Sequence, residues 1–168
     1  MLFVIDMQND FVIEKRGLLS VPNAEKLIPE IIKEIKEQEN KGEPIYYTLN
    51  QHNIEDDNRS DAEKRWGLEL VEPLKEALKK HNVLKKKFHS ISPEEAEKLR
   101  NQYDDDPDRV IEFVGIETNV CVLSNAIMLH SSFPLASICV LEDLCTGTTK
   151  ELHNKTLEVM KSLKIEIY

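Results

Sequence analysis

Short apolar runs of strand length alternate with longer stretches whose apolar residues recur at helical spacing, and this alternation continues along all 168 residues. Residues 2–5, Leu-Phe-Val-Ile, are the first predicted strand. Residues 24–40 follow as a helix with Leu27, Ile28, Ile31, Ile32 and Ile35 on one face and Lys41-Gly42 as its stop. Residues 44–49, rich in Ile and Tyr, predict a second strand, and residues 50–64 a polar loop. A helix then runs from Gly67 or Leu70 to Lys80, and residues 83–87 form a third strand. Ser92 caps a short helix over residues 93–102, and residues 104–107 turn the chain. Residues 110–114 and 135–141 are the fourth and fifth strands, each leading to a helix, over 119–130 and 150–163. Residues 165–167 make a last short strand.

Strands separated by helices require parallel pairing with right-handed crossovers and helices on both faces. The expected fold is therefore α/β: a three-layer α/β/α sandwich, Rossmann-like, around a mostly parallel sheet of about six strands. No repeat, low-complexity tract or Pro/Gly/Ser linker interrupts the alternation, so residues 1–168 are expected to form one domain. The strand order does not follow from the alternation.

Charge narrows the function classes. With 31 acidic and 22 basic side chains the net charge is −9, which argues against a general nucleic-acid or membrane-surface binder. No stretch approaches the ~20 apolar residues of a membrane span. The amino terminus lacks a charged leader and a small-residue cleavage site, so no signal peptide is expected. Cys121, Cys139 and Cys145 are odd in number and lack metal-ligand spacing, which points to a reducing, cytoplasmic compartment.

In a parallel sheet all strand carboxyl ends share one edge, where ligands of open α/β sheets bind. Three chemically complementary groups are expected there: Asp6 after the first strand, Lys85 on the third, and Cys121 after the fourth. Cys121 falls at the start of a helix, where partial positive charge lowers a thiol pKa. A carboxylate to move the thiol proton and an ammonium to hold the negative charge complete a nucleophile–base–orienter set. Each residue alone has a plainer reading: an aspartate that caps a turn, a solvated lysine, a packed cysteine.

The segments Asp6-Met-Gln8-Asn-Asp10-Phe11 and Gly115-Ile-Glu-Thr-Asn-Val-Cys121-Val resemble the Asp-x-Gln-x-Asp-Phe and Gly-x-x-Thr-x-x-Cys-Val motifs of the isochorismatase-like cysteine hydrolases, which include nicotinamidases and N-carbamoylsarcosine amidase. The resemblance spans nearly the whole chain. It implies an Asp6–Lys85–Cys121 triad, a covalent thioester, and a non-proline cis peptide joining Ile116 to Glu117. The backbone N–H groups of Glu117 and Cys121 would form the oxyanion hole. Aligning Phe88 with an aromatic that follows the family lysine selects Lys85, with Lys87 on the same strand face as the alternative and Lys86 on the other face.

The resemblance also assigns a pocket. Phe11 and Trp66 correspond to aromatic residues that flank ligands in relatives, and Gln8, His52 and Thr118 complete the expected substrate contacts. Core packing for Trp66 and loop structure for Gln8 are the rival readings. Asp143 is expected to be structural, and His81, His130 and His153 to lie at the surface. Glu117, if it faces the cleft, disfavours anionic substrates.

Nicotinamidases share a metal site opened by Thr-x-Asp-x-His; here Thr48-Leu-Asn50-Gln-His52 keeps the histidine and replaces the carboxylate with an amide. No metal or other cofactor is expected, His52 being the one place where a divalent ion would start. The expected function is cleavage of a C–N bond in a small amide. The alternatives are a metal-dependent nicotinamidase, a vinyl-ether hydrolase of the isochorismatase type, and a non-catalytic scaffold. Relatives imply a homodimer or larger homo-oligomer, with a small molecule as the other partner.

Overall fold

The computed structural model describes residues 1–52 and 57–168. Six strands, β1 (Leu2–Ile5), β2 (Ile45–Asn50), β3 (Asn82–Lys86), β4 (Val110–Ile116), β5 (Ser137–Thr146) and β6 (Glu166–Ile167), form one sheet. The order is β3-β2-β1-β4-β5-β6, and every neighbouring pair is parallel. The helices are α1 (Asn9–Val12), α2 (Ile28–Lys41), α3 (Asp61–Leu68), α4 (Glu72–Leu78), α5 (Pro93–Tyr103), α6 (Leu123–Ser132) and α7 (Lys150–Ser162).

The expected three layers are present, and β1 shows why. It is buried on both faces, as a central parallel strand must be. Its alternate residues serve two cores. Phe3 and Ile5 join Leu99 of α5, Leu129 of α6 and Met160 of α7 on one side. Leu2 and Val4 join Ile31 and Ile35 of α2 and Leu74 and Leu78 of α4 on the other. The Phe3 ring stacks 5.3 Å from both Tyr46 and Phe113, tying β1 to its two neighbouring strands. Among the described residues no helix is long and apolar enough to cross a membrane.

Two regions differ from the sequence reading for local reasons. The polar loop of residues 50–64 gives way at Ser60, whose hydroxyl accepts from the Glu63 N–H while the Glu63 carboxylate accepts from the Ser60 N–H. This capping box starts α3 at Asp61, six residues before the earliest predicted start at Gly67. Pro73 cannot sit inside a continuous helix, so the chain restarts there as α4. The fifth strand is longer than predicted, because the β4–β5 register jumps between Phe113↔Val140 and Gly115↔Cys145. The bulge so formed leaves Asp143 exposed.

Successive strands build outward from β1 in one direction, and β4, β5 and β6 in the other. The sheet therefore has a topological switch point between β1 and β4, with a crevice at their carboxyl ends. Asp6 leaves β1 into that crevice, and the turn carrying Cys121 follows β4.

Candidate active site

Asp6 is locked before any ligand arrives. Its backbone has φ 49°, a left-handed conformation that Asp tolerates better than most residues. Its N–H donates to Thr48 Oγ1 at 3.0 Å, and the same hydroxyl donates to Asp6 Oδ1 at 2.6 Å. Thr48, fully buried on β2, thus holds one carboxylate oxygen and directs the other toward Lys86. Asp6 Oδ2 lies 2.6 Å from Lys86 Nζ, an ion pair without a well-aligned hydrogen bond. Oδ2 therefore retains acceptor capacity.

The structure places Lys86, not Lys85 or Lys87, beside the aspartate and the thiol. Along β3 the burial alternates so that Leu84 and Lys86 face inward while Val83 and Lys85 are exposed. Lys85 pairs with Leu49 in the β2–β3 register, and its side chain points to the other face; Lys87 is exposed beyond the strand. The alignment on Phe88 misled, because that ring is 78% exposed and marks no pocket wall. Period-two alternation offered two inward sets, Val83/Lys85/Lys87 or Leu84/Lys86, and the structure takes the second. Lys86 Nζ reaches Asp6 Oδ2, Cys121 Sγ at 3.4 Å and the Phe88 carbonyl at 3.0 Å. Two hydrogen bonds and the ion pair with Asp6 surround the ammonium, which is how a charge buried to 4% exposure is tolerated.

Cys121 sits within a π-helical turn, Thr118–Val122, that runs into α6. Single π-type turns often occur at functional sites. The helix start was expected to lower the thiol pKa; instead it is pushed up to about 12, by burial first and then by the Asp6 charge, with Lys86 opposing. At neutral pH the nucleophile is thus a protonated thiol held next to a carboxylate able to take its proton. Asn125 fixes this arrangement from behind: its amide donates to the Cys121 carbonyl at 2.7 Å and to the His89 carbonyl at 3.0 Å, and accepts from the Ile91 N–H at 2.9 Å.

The peptide between Ile116 and Glu117 is cis, as the resemblance implied. Just before it, Gly115 adopts φ 111°, and a Cβ there would crowd the backbone of Ile5. Only glycine lets β4 approach β1 so closely at the point where the two strands deliver the site. Glu117 Oε2 accepts from Thr148 Oγ1 at 2.9 Å, and Asn119 braces Thr148 through its amide at 2.8 Å.

A cleft of about 200 Å³ opens over the thiol. Phe11, Leu19, Ile116 and Val120 form its apolar walls, while Asp6, Asn50, His52, His89 and Glu117 present polar groups. A larger hollow of about 390 Å³ beside Met1 and Glu112, at the amino ends of the strands, holds no nucleophile.

Of the expected substrate contacts, Phe11 and His52 line the cleft, their rings 4.7 Å apart. Gln8 does not: its amide donates to the carbonyls of Asn50 and Leu68 and accepts from the Asn50 N–H, so it is fully committed to backbone. Trp66 lies outside the cleft, with the Arg16 guanidinium 3.8 Å above its ring. Thr118 is fully buried behind the nucleophile, its hydroxyl 2.8 Å from His153 Nδ1. His153 is half-buried rather than free at the surface, and burial holds its imidazole below the usual range. The sequence reading missed Leu19, His89, Val120 and the orienting Thr48. Thr48 was visible as a polar residue inside an apolar strand, two positions before Asn50.

Asp10 shows what has become of the polar wall. It is fully buried, and its two oxygens take a bidentate clamp from Arg59 at 2.6 and 2.8 Å. Burial pushes its carboxyl up, but hydrogen bonds from Arg59 and His52 outweigh that and hold it below the usual range. Gly67 permits the contact, since a Cβ there would strike the carboxylate. With Asp10 charged, His52 Nε2, 3.1 Å away, donates to it, and His52 Nδ1 keeps its lone pair. Nδ1 and Asn50 Oδ1 are both buried acceptors without a partner among the described residues. They amount to one imidazole and one amide, fewer than the three protein ligands of a catalytic zinc. Among the described residues no three His, Cys, Asp or Glu side chains gather to hold a metal.

An isochorismatase domain model matches residues 1–167. No curated protein sequence matches the chain. Solved structures do. An isochorismatase-like hydrolase from Alkaliphilus metalliredigens is 24% identical with a TM-score of 0.78, over 99% of this chain and 92% of its own. A pyrazinamidase of Pyrococcus horikoshii in complex with zinc is 24% identical with a TM-score of 0.75, over 99% and 97%. A pyrazinamidase/nicotinamidase from Streptococcus mutans is 20% identical with a TM-score of 0.81, over 99% and 98%. At these identities the structural likeness speaks for the fold, whereas the domain model covers nearly the whole chain: the protein belongs to the isochorismatase family of hydrolases.

Proposed function

We propose that this chain is a cysteine hydrolase that cleaves the C–N bond of a small amide without a metal, using Asp6, Lys86 and Cys121. The single observation that carries this reading is Lys86 Nζ placed 2.6 Å from Asp6 Oδ2 and 3.4 Å from Cys121 Sγ in a buried cluster at the cleft floor. Nicotinamidase and pyrazinamidase neighbours support the amide as substrate class.

Asp6 takes the thiol proton as Sγ attacks the amide carbonyl, and Lys86 stays beside the sulfur to offset the negative charge that builds there as the proton leaves. The backbone N–H groups of Glu117 and Cys121 are assigned to the carbonyl oxygen as it becomes negative. Asp6, now protonated, delivers its proton to the departing nitrogen, and the C–N bond breaks to leave a thioester on Sγ. Water then attacks the thioester with Asp6 as base, releasing the carboxylic acid and returning the proton to the thiol. The proton count closes with one water consumed.

Ammonia release from nicotinamide, pyrazinamide, carbamoyl amines and ureido acids tests the reading. At least one should be hydrolysed by the wild type and none by Cys121→Ala with its fold intact by circular dichroism. Full activity in Cys121→Ala would overturn it, as would activity abolished by chelator and restored by zinc.

A further inference from the structure

The charges in the cleft do not balance. Asp6 is neutralised by Lys86, and Asp10, behind His52, by Arg59. Glu117 is left over. It is one of the residues that line the cleft, its carboxylate accepts from the neutral hydroxyl of Thr148, and no Lys or Arg among the described residues forms an ion pair with it. Among the described residues no Lys or Arg lines the cleft wall either. An anionic ligand would find no counter-charge there, and the overall charge of −9 adds to that field.

Two other lining residues carry unpartnered acceptors. Asn50 Oδ1 and His52 Nδ1 are acceptors lacking a partner among the described residues, but both atoms are buried beneath the cleft surface. The tautomer of His52 is set by the Arg59–Asp10 clamp, so Nδ1 is an acceptor by construction whenever the ring is neutral. Glu117 is comparably pre-set: Asn119 holds Thr148 through both its amide groups, donating to Oγ1 at 2.8 Å and accepting from its N–H at 3.0 Å. The volume of about 200 Å³ falls below the ~300–1,000 Å³ of drug-sized pockets, which limits the ligand to a small molecule.

We propose that the cleft selects a small amide bearing a positively charged group, with Glu117 as the specificity-determining carboxylate. This rests on the amidase reading for the word amide, but the charge preference is readable by binding alone.

The test uses Cys121→Ser protein, which holds a ligand without the wild-type thiol chemistry, and two amides of matched shape. Piperidine-4-carboxamide carries an NH2⁺ where cyclohexanecarboxamide carries a CH2; succinamate is the anionic comparison. The expected result by NMR titration is that the cation binds about tenfold or more tighter than the neutral amide, the span of one charge-assisted contact, and that succinamate is weakest. Glu117→Gln in the same background should erase most of that ratio, and chelator should change nothing. Equal binding of cation and neutral amide, a ratio unmoved by Glu117→Gln, no binding of either at millimolar concentration, or a requirement for metal would each overturn the proposal. If the cation preference depends on Glu117 while the wild type releases ammonia from no amide, the charge inference stands and the amidase reading falls. The converse pattern, hydrolysis without charge preference, separates them the other way.

Discussion

Replacing Asp6 with asparagine should abolish hydrolysis and yet make the nucleophile easier to alkylate. The thiol of Cys121 is pushed up to about 12 by burial and by the Asp6 charge. At pH 8 the four-unit gap leaves about one thiol in ten thousand ionised. Asparagine keeps the shape that Thr48 and Lys86 hold but removes the charge that opposes the thiolate. Lys86 then stands alone 3.4 Å from Sγ. A single charge at such range typically moves a pKa by about 1–3 units, so a fall of about two units is expected. That raises the thiolate fraction at pH 8 about a hundredfold, while the weaker nucleophilicity of a more acidic thiol returns roughly tenfold of the gain. The net expectation is alkylation by iodoacetamide about tenfold faster than in the wild type. Peptide mass spectrometry reads Cys121 directly, with buried Cys139 and Cys145 as internal references. Alkylation of Cys121 at the wild-type rate or slower would refute the claim that Asp6 holds the proton on the thiol.

Lys86→Met should lower kcat/KM by about a hundredfold or more, as loss of a catalytic group does, whereas Lys85→Met should stay within about twofold, since Lys85 faces outward. Equal losses on the best amide found would show that the strand was read on the wrong face. Arg59→Met strips the fully buried Asp10 of its clamp, and urea unfolding should register a loss of about 3 kcal/mol or more. A loss below 1 kcal/mol would mean that the clamp is dispensable. All three thiols are pushed up to about 12, chiefly by burial, from a value of 9.0. Between those pH values the unfolded chain loses thiol protons that the folded chain keeps. This contribution is therefore fully present below about pH 9 and lost as pH rises toward 12, at up to about 1.4 kcal/mol per pH unit per thiol. Urea midpoints at pH 8 and pH 10 should fall by less in Cys145→Ala than in the wild type, and an unchanged difference would count against the burial of that thiol.

The layers and the strand ends were legible because they depend on periodicity. Leu2-Phe-Val-Ile can only be a central strand if both faces are covered, and the six strands emerge parallel in a sheet with helices on both sides. Asp6 and Cys121 were legible for the same reason: each follows directly from an apolar run. Lys86 was not, because β3 is an edge strand in which neither Val83 nor Leu84 declares which face is inward until α5 and α6 pack on one of them. Gln8 and Thr118 were misplaced because both are polar residues whose partners, the Asn50 backbone and His153, come from distant segments that sequence spacing does not bring together. Arg59 escaped notice for a related reason, lying 49 positions from the carboxylate it clamps. The thiol pKa was misjudged because proximity to a helix start is visible in sequence and depth of burial is not.

The central claim is that the buried Asp6–Lys86–Cys121 cluster performs covalent chemistry. Acid-quenched reaction with a slow amide substrate, digested and mapped by mass spectrometry, tests it most directly. The acyl mass should appear on the peptide bearing Cys121, vanish with time as water attacks, and be missing in Asp6→Asn. Turnover of that amide with no acyl mass on Cys121, or with the adduct on Cys139 or Cys145, would contradict it.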